Sequence, residues 1–405
     1  MPFASSRSNR RSAAYLSSTI LLAAAALGAG CAGTGPQAPG SFYSWSEPLS
    51  GTPGKLLRQA PLEAAASLPE AGEQIRVLYS STDGVSGSGV VPVSGAIFFP
   101  KTLRPAGGWP IVAWAHGTTG VGDACAPSRN ARSSRDRDYL NAWLREGFVV
   151  VATDYQGLGT PGPHPYLHTR AQAYSTLDAV RAALTLPGVA NQVVLVGQSQ
   201  GGGAVFGSAG IAPGYAPDVK LLGSVATGTP YLGVDAPDVP RDLDRVSPQI
   251  AYAMYATVTA RLVRPDFDPA GVFLPAAMPA LQASAEACVG PMFRRLTQEA
   301  RTARNSYQPD GAKRLRGVVG PVTGYPTLKL AQPVFMGIGE KDVDVPAAIQ
   351  QALVRDACKA GSRVQAHVYP GLDHSGAVNA SLKDSLPFVR DLLAGKSVAT
   401  TCSQP

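Results

Sequence analysis

Short, continuously apolar runs at residues 111–115, 148–152, 193–196, 221–226, 332–338 and 364–369 read as buried strands. Between them, residues 138–146, 172–186, a Gly/Ala-rich stretch from Gly201, 346–358 and 378–393 carry apolar positions at helical spacing. Strands that are apolar throughout and alternate with helices imply a mostly parallel sheet with helices on both faces, an α/β class. Ahead of this rhythm, 74–79 and 89–99 are β-rich and bounded by Gly and Ser, which suits an opening antiparallel pair. The alternation stops between Pro230 and about Gln332. That segment holds helical patterns at 250–262 and 273–288 separated by Pro and Asp, and reads as a helical cap inserted at about 230–330 into a domain spanning 73–405.

Composition narrows the class. Hydrophobic residues make up 45% of the 405 and charged residues 16%, which excludes a disordered chain. Residues 1–31 carry Arg7, Arg10 and Arg11, then an apolar run over 20–27, then Gly28-Ala29-Gly30-Cys31. A basic head, an apolar middle and a small-residue end read as an export signal. The Gly-Ala-Gly-Cys end resembles a lipoprotein signal, with Cys31 as the lipidated membrane attachment, although Gly28 stands where Leu is usual; ordinary cleavage near Ala32 is the alternative. The exported product is therefore periplasmic, membrane-anchored or secreted. Residues 32–72 are Gly/Pro/Ser-rich and read as a tether.

Without the first thirty residues the formal charge falls from +7 to about +4, and no Lys/Arg cluster marks a nucleic-acid face. With Cys31 set aside, Cys125, Cys288, Cys358 and Cys402 remain, and an oxidising compartment allows three pairings. Cys358 and Cys402 share the C-terminal portion, so Cys125–Cys288 with Cys358–Cys402 is favoured. No Cys pair shows zinc-ligand spacing.

The chemistry centres on Gly197-Gln198-Ser199-Gln200-Gly201, which directly follows the run 193–196 and precedes a small-residue helix. A nucleophile elbow needs that context, because the sharp turn tolerates only small flanks and lifts the serine hydroxyl over a helix N-terminus. The serine needs a base. His367 sits inside the strand pattern 364–369 and reads as a packed side chain, whereas His374 lies in the polar loop Gly371-Leu372-Asp373-His374-Ser375-Gly376 after it. The orienting acid is Asp342, in the turn after 332–338; Asp344 is the alternative, with capping of the helix from Pro346 as its structural role. The oxyanion hole would take the N–H of Gln200 and one from the loop His116-Gly117-Thr118-Thr119-Gly120, from Thr118 or else Thr119. His116 reads as a loop-shaping residue, since the order Ser, Asp, His already supplies the base.

Two longer motifs add a resemblance. Trp114-Ala115-His116-Gly117-Thr118-Thr119-Gly120 with Ala124-Cys125-Ala126-Pro127-Ser128, and the run from Thr153 to Tyr166, resemble the bacterial branch of the secretory lipase family; with the elbow, Asp342 and His374 the resemblance covers about residues 75–395. It implies an α/β-hydrolase fold, a cap over the site, and cofactor-free hydrolysis of small-molecule or lipid acyl esters. Gln198 stands where relatives often carry His or Tyr, and is expected to tune the pocket. The same residues leave open an acyltransferase, a serine peptidase, or a non-catalytic surface lipoprotein on this scaffold.

Overall fold

The structure is a computed structural model of the chain and describes residues 42–234, 236–237 and 242–402. The basic head, Cys31 and the first part of the tether lie outside these residues.

Among the described residues, β1 (Leu56–Pro61), β2 (Ala71–Thr82), β3 (Val90–Pro100), β4 (Trp109–Ala115), β5 (Val149–Thr153), β6 (Val189–Gln198), β7 (Leu221–Thr227), β8 (Val334–Gly339) and β9 (Val364–Tyr369) form one sheet. Their order is β1-β2-β3-β5-β4-β6-β7-β8-β9. The first three strands pair antiparallel, β3 pairs antiparallel with β5, and every pair from β5 to β9 is parallel. Strand residues alternate between two cores. Ile111, Ala113, Val193 and Leu195 pack on one face, and Val112, Trp114, Val194 and Val196 on the other. A side-chain period of two with both faces apolar is what a parallel sheet under two helical layers requires.

The layers come from α1 (Ser134–Arg145), α2 (Thr169–Leu184), α3 (Gln200–Tyr215), α4 (Ile250–Val263), α5 (Met278–Ser284), α6 (Val289–Gln298), α7 (Ala303–Ser306), α8 (Gly311–Thr323), α9 (Ala347–Lys359), α10 (Gly376–Ala380) and α11 (Leu382–Leu393). Leu177 and Val180 of α2, Val205 and Phe206 of α3 and Leu353 of α9 cover one face of the sheet. Tyr139 and Trp143 of α1 with Phe388 and Val389 of α11 cover the other. Helices α4 to α8, between β7 and β8, close round a third core that includes Met254, Tyr255, Phe273, Met292 and Leu296.

Several expectations are corrected. The stretch 32–72 is more than a tether where it is described. Leu56–Pro61 pairs with β2 as an edge strand, and Phe42 and Tyr43 are buried beside Leu78. Its Gly and Pro content hid these apolar anchors. Helix α1 starts ahead of its apolar spacing because Ser133 caps it, accepting the Asp136 N–H at 3.2 Å. Within 273–288, Pro275 opens a short 3₁₀ turn, Pro279 sits in the first turn of α5 where a helix tolerates it, and Cys288 instead precedes α6. The stretch 378–393 divides at Ser381 into α10 and α11.

Disulfides join Cys125 to Cys288 and Cys358 to Cys402, the pairing favoured from the sequence. The first links the loop after β4 to the residue preceding α6. The second ties the last turn of α9 to the C-terminal segment.

Candidate active site

Strands β4 and β6 are neighbours, but the chain leaves β4 for β5 on one side before returning to β6 on the other. Such a reversal opens a crevice at the C-terminal strand ends. The loops after β4, β6, β8 and β9 all meet there.

Ser199 sits between β6 and α3 with φ 58° and ψ −119°. A non-glycine residue at such an angle is strained and is held only by its surroundings. Here its N–H donates to the Thr227 carbonyl at 2.8 Å and its carbonyl accepts from Gly203 at 3.0 Å. The elbow requires glycine at both flanks. A β-carbon on Gly197 would strike the Gly201 carbonyl, and one on Gly201 would strike that of Ala115. Gln200 opens α3, so its N–H is one of the donors a first helical turn leaves unpaired.

His374 comes from the loop between β9 and α10 and is 8% exposed. Its Nδ1–H donates to Asp342 Oδ2 at 2.7 Å. The Asp342 side chain has no exposed surface, and every acceptor direction in it is used. Oδ2 also accepts Gln350 Nε2 at 2.9 Å, and Oδ1 accepts the backbone N–H groups of Asp344 and Val345 at 3.0 and 2.8 Å. This is the arrangement that fixes an imidazole tautomer with Nε2 free of a proton.

Asp344 does not cap α9, whose N-cap position is Pro346, without a side-chain acceptor. Its Oδ1 accepts the Tyr252 hydroxyl at 2.8 Å, joining the loop after β8 to α4. Asp342, Asp344 and His374 bring ligand atoms within 4.8 Å of one another, but these atoms are already bonded to each other and to Tyr252.

The loop after β4 is braced from behind. Thr118 Oγ1 and the Tyr166 hydroxyl are 2.6 Å apart. The Val289 N–H at the start of α6 donates to the Thr119 carbonyl at 2.8 Å. His116 is buried, with Nδ1–H donating to the Gly117 carbonyl at 2.7 Å and its ring against Tyr155, a loop-shaping position. Asp154, buried at the end of β5, accepts from Ser94, Ser128 and the Ser128 N–H, which pins the segment 125–130. Gln200 turns its side chain inward, and its Nε2 donates to His164 Nε2 at 3.2 Å. Burial holds His164 down at about 4, so it stays neutral and can accept that bond.

These parts enclose a cavity of about 540 Å³. Ser199, His374, Gly117, Thr118 and Thr119 line its floor, and Tyr252, Val289 and Phe293 of the inserted helices line the opposite wall. His367 lies elsewhere, on β9 and stacked on Phe335 at 5.2 Å. Sequence reasoning missed Gln350, Tyr252 and the bracing role of His164 and Tyr166. The last two stand in the run from Thr153 to Tyr166, but nothing in one sequence says which residue they brace.

Known proteins give the class. The model of the secretory lipase family matches residues 131–263. A secreted triacylglycerol lipase of Malassezia globosa is 26% identical over 314 residues, covering 69% of this chain and 63% of that protein. A probable inactive lipase of Mycobacterium tuberculosis is 27% identical over 225 residues, covering 52% of this chain and 48% of that one. The chain thus spans between about half and three-fifths of the length of these relatives. Among solved structures, Candida antarctica lipase A in its closed state superposes with TM-score 0.67 at 18% identity, covering 87% of this chain and 85% of that one. A ligand-bound rice cell wall degrading esterase from Xanthomonas oryzae gives TM-score 0.67 at 22% identity, covering 85% and 100%. The fold is that of the α/β-hydrolases. Within that class, the chain is similar to secretory lipases.

Proposed function

We propose that the protein is an exported carboxylic-ester hydrolase, an esterase or lipase, that works through a serine acyl-enzyme. One observation carries the reading. A serine strained to positive φ shares a cavity floor with an imidazole whose far nitrogen is anchored on a buried carboxylate.

In this reading Ser199 Oγ attacks the ester carbonyl carbon while His374 Nε2 takes its proton. The N–H groups of Gln200 and Thr118 receive the developing oxyanion, and Asp342 stabilises the imidazolium. Collapse of the tetrahedral adduct breaks the bond to the alcohol, which leaves with the proton from His374. Water then attacks the acyl carbon with His374 again as base, and the acid departs. Val289 and Phe293 give the acyl chain an apolar wall. The two loop motifs support placement in the bacterial branch of the secretory lipases, and the basic N-terminal head supports export, with Cys31 as a lipid attachment. Mass analysis of the mature N-terminus checks that: a diacylglyceryl Cys31 is expected, and a start at Ala32 or beyond refutes it.

A fluorophosphonate probe on purified protein, with a p-nitrophenyl ester series, tests the chemistry. Labelling confined to Ser199, abolished in Ser199→Ala, is expected. A folded wild type that neither labels nor turns over any ester refutes hydrolysis and favours a non-catalytic scaffold. Faster transfer to an added alcohol or amine than to water would make it an acyltransferase.

A further inference from the structure

We propose that Gln198 is a positioning residue that holds the free electron pair of His374 in the resting protein and must release it before Ser199 can be activated. The inference rests on the hydrolase reading and deepens it.

Gln198 ends β6 and is 1% exposed. Its side-chain Nε2 lies 2.9 Å from His374 Nε2. The direction of this bond follows from the other end of the ring. Nδ1–H is committed to Asp342 Oδ2 at 2.7 Å, so neutral imidazole presents only a lone pair at Nε2. The amide N–H must therefore be the donor. An amide oxygen there would set two acceptors face to face.

The surroundings are built for this contact. The amide oxygen packs on Gly117, where a β-carbon would collide with it. On the other flank Gly228, at φ 57°, lies under the imidazole, where a β-carbon would come within 2.6 Å of Cε1 and 2.9 Å of Nδ1. The amide and the ring are a fitted pair between two glycines.

The chemistry then conflicts with the contact. A ring nitrogen has one lone pair, and the general base needs it for the Ser199 hydroxyl. After proton transfer Nε2 carries a hydrogen and opposes the amide N–H, so the contact belongs to the neutral ring alone. Release breaks one N–H···N bond, and an O–H···N bond from Ser199 forms in its place. The serine proton then moves to Nε2 as the Oγ–carbon bond forms. Gln198 thus sets the fraction of protein whose base is free, both in acylation and when water attacks the acyl-enzyme.

The test compares the second-order rate of fluorophosphonate labelling, and kcat and KM on p-nitrophenyl butyrate, in wild type and two variants. Gln198→Met keeps the length and removes the donor. It should raise labelling and kcat roughly three- to tenfold, the range carried by one net hydrogen bond, with KM unchanged. Gln198→Glu places a carboxylate against Nε2, which traps the protonated ring, and should lower both by more than about tenfold. A folded Gln198→Met that labels at or below the wild-type rate overturns the proposal. Should that variant fail to fold, a structure of wild type phosphonylated at Ser199 decides. The amide out of hydrogen-bond range of His374 is expected, and the amide still bonded to it overturns the proposal. A folded wild type that never labels removes the hydrolase reading itself, whereas labelling with no effect of position 198 removes only this one.

Discussion

Strands β4 to β7 bury both faces under continuous apolar layers, whereas helices α4 to α8 close round a separate core that also takes in Val121 and Tyr166 of the site loops, and polar and covalent ties join them to the site. Those ties include one disulfide, the bond from Tyr252 to Asp344, the bond from Val289 to Thr119, and the Thr259 hydroxyl donating to the Tyr166 carbonyl at 2.6 Å. The loops at the C-terminal strand ends, with the first residue of α3, hold every residue given a chemical role in the proposal. The inserted helices supply walls. Damage to the sheet side should therefore appear in the chemical step, and damage to the ties in stability and in the choice of ester.

The sharpest way to break that division is Asp342→Asn. Loss of the acceptor frees the imidazole tautomer, and kcat should fall by about 10⁴, while stability falls by only about 1–3 kcal/mol through the N–H donors left unpaired. An equal collapse in stability would mean that the carboxylate is chiefly structural. Next comes replacement of both Cys125 and Cys288 by Ser. The bridge spans 163 residues. Chain entropy predicts a loss of about 5 kcal/mol in urea unfolding. Activity on acetate esters should survive in the folded fraction better than activity on long-chain esters.

His164 tests the seam between the two regions. Burial keeps its folded value at about 4. The unfolded chain titrates near 6.5, so between about 4 and 6.5 it binds a proton that the folded chain refuses. Stability should rise with pH through this window and be lost as pH falls through it, by roughly 3 kcal/mol in all. His164→Gln should make that part of the curve shallower, the remaining slope coming from His168, which burial also holds at about 4; an unchanged slope would assign it to other groups. The smallest effect is expected for Tyr252→Phe, about 1 kcal/mol, the worth of one hydroxyl bond. Its kcat on short esters should stay near wild type, and a large fall would move the inserted helices into the chemistry.

The strand–helix rhythm was legible because parallel strands are apolar on both faces, and the elbow because its glycines have no alternative. Gly201 packs against the Ala115 carbonyl with no room for a side chain. The inserted helices were legible only in outline. Their apolar faces are short, and Pro291 and Pro321 fall within α6 and α8, so these helices gave no clear boundary. Asp342 could be chosen over Asp344 by its place in the turn, yet the bond from Asp344 to Tyr252 bridges 92 positions and leaves no mark in either segment. The partner of Gln198, 176 positions away, was equally hidden.

Cys288 and Val289 have a mechanical consequence. One is bonded covalently to Cys125 and the other donates to Thr119, so the start of α6 grips the loop of residues 116–125 at two points. A lever that lifts α6 therefore pulls on the loop carrying Thr118. Width of entry and alignment of the donors proposed for the oxyanion are thus mechanically coupled through α6.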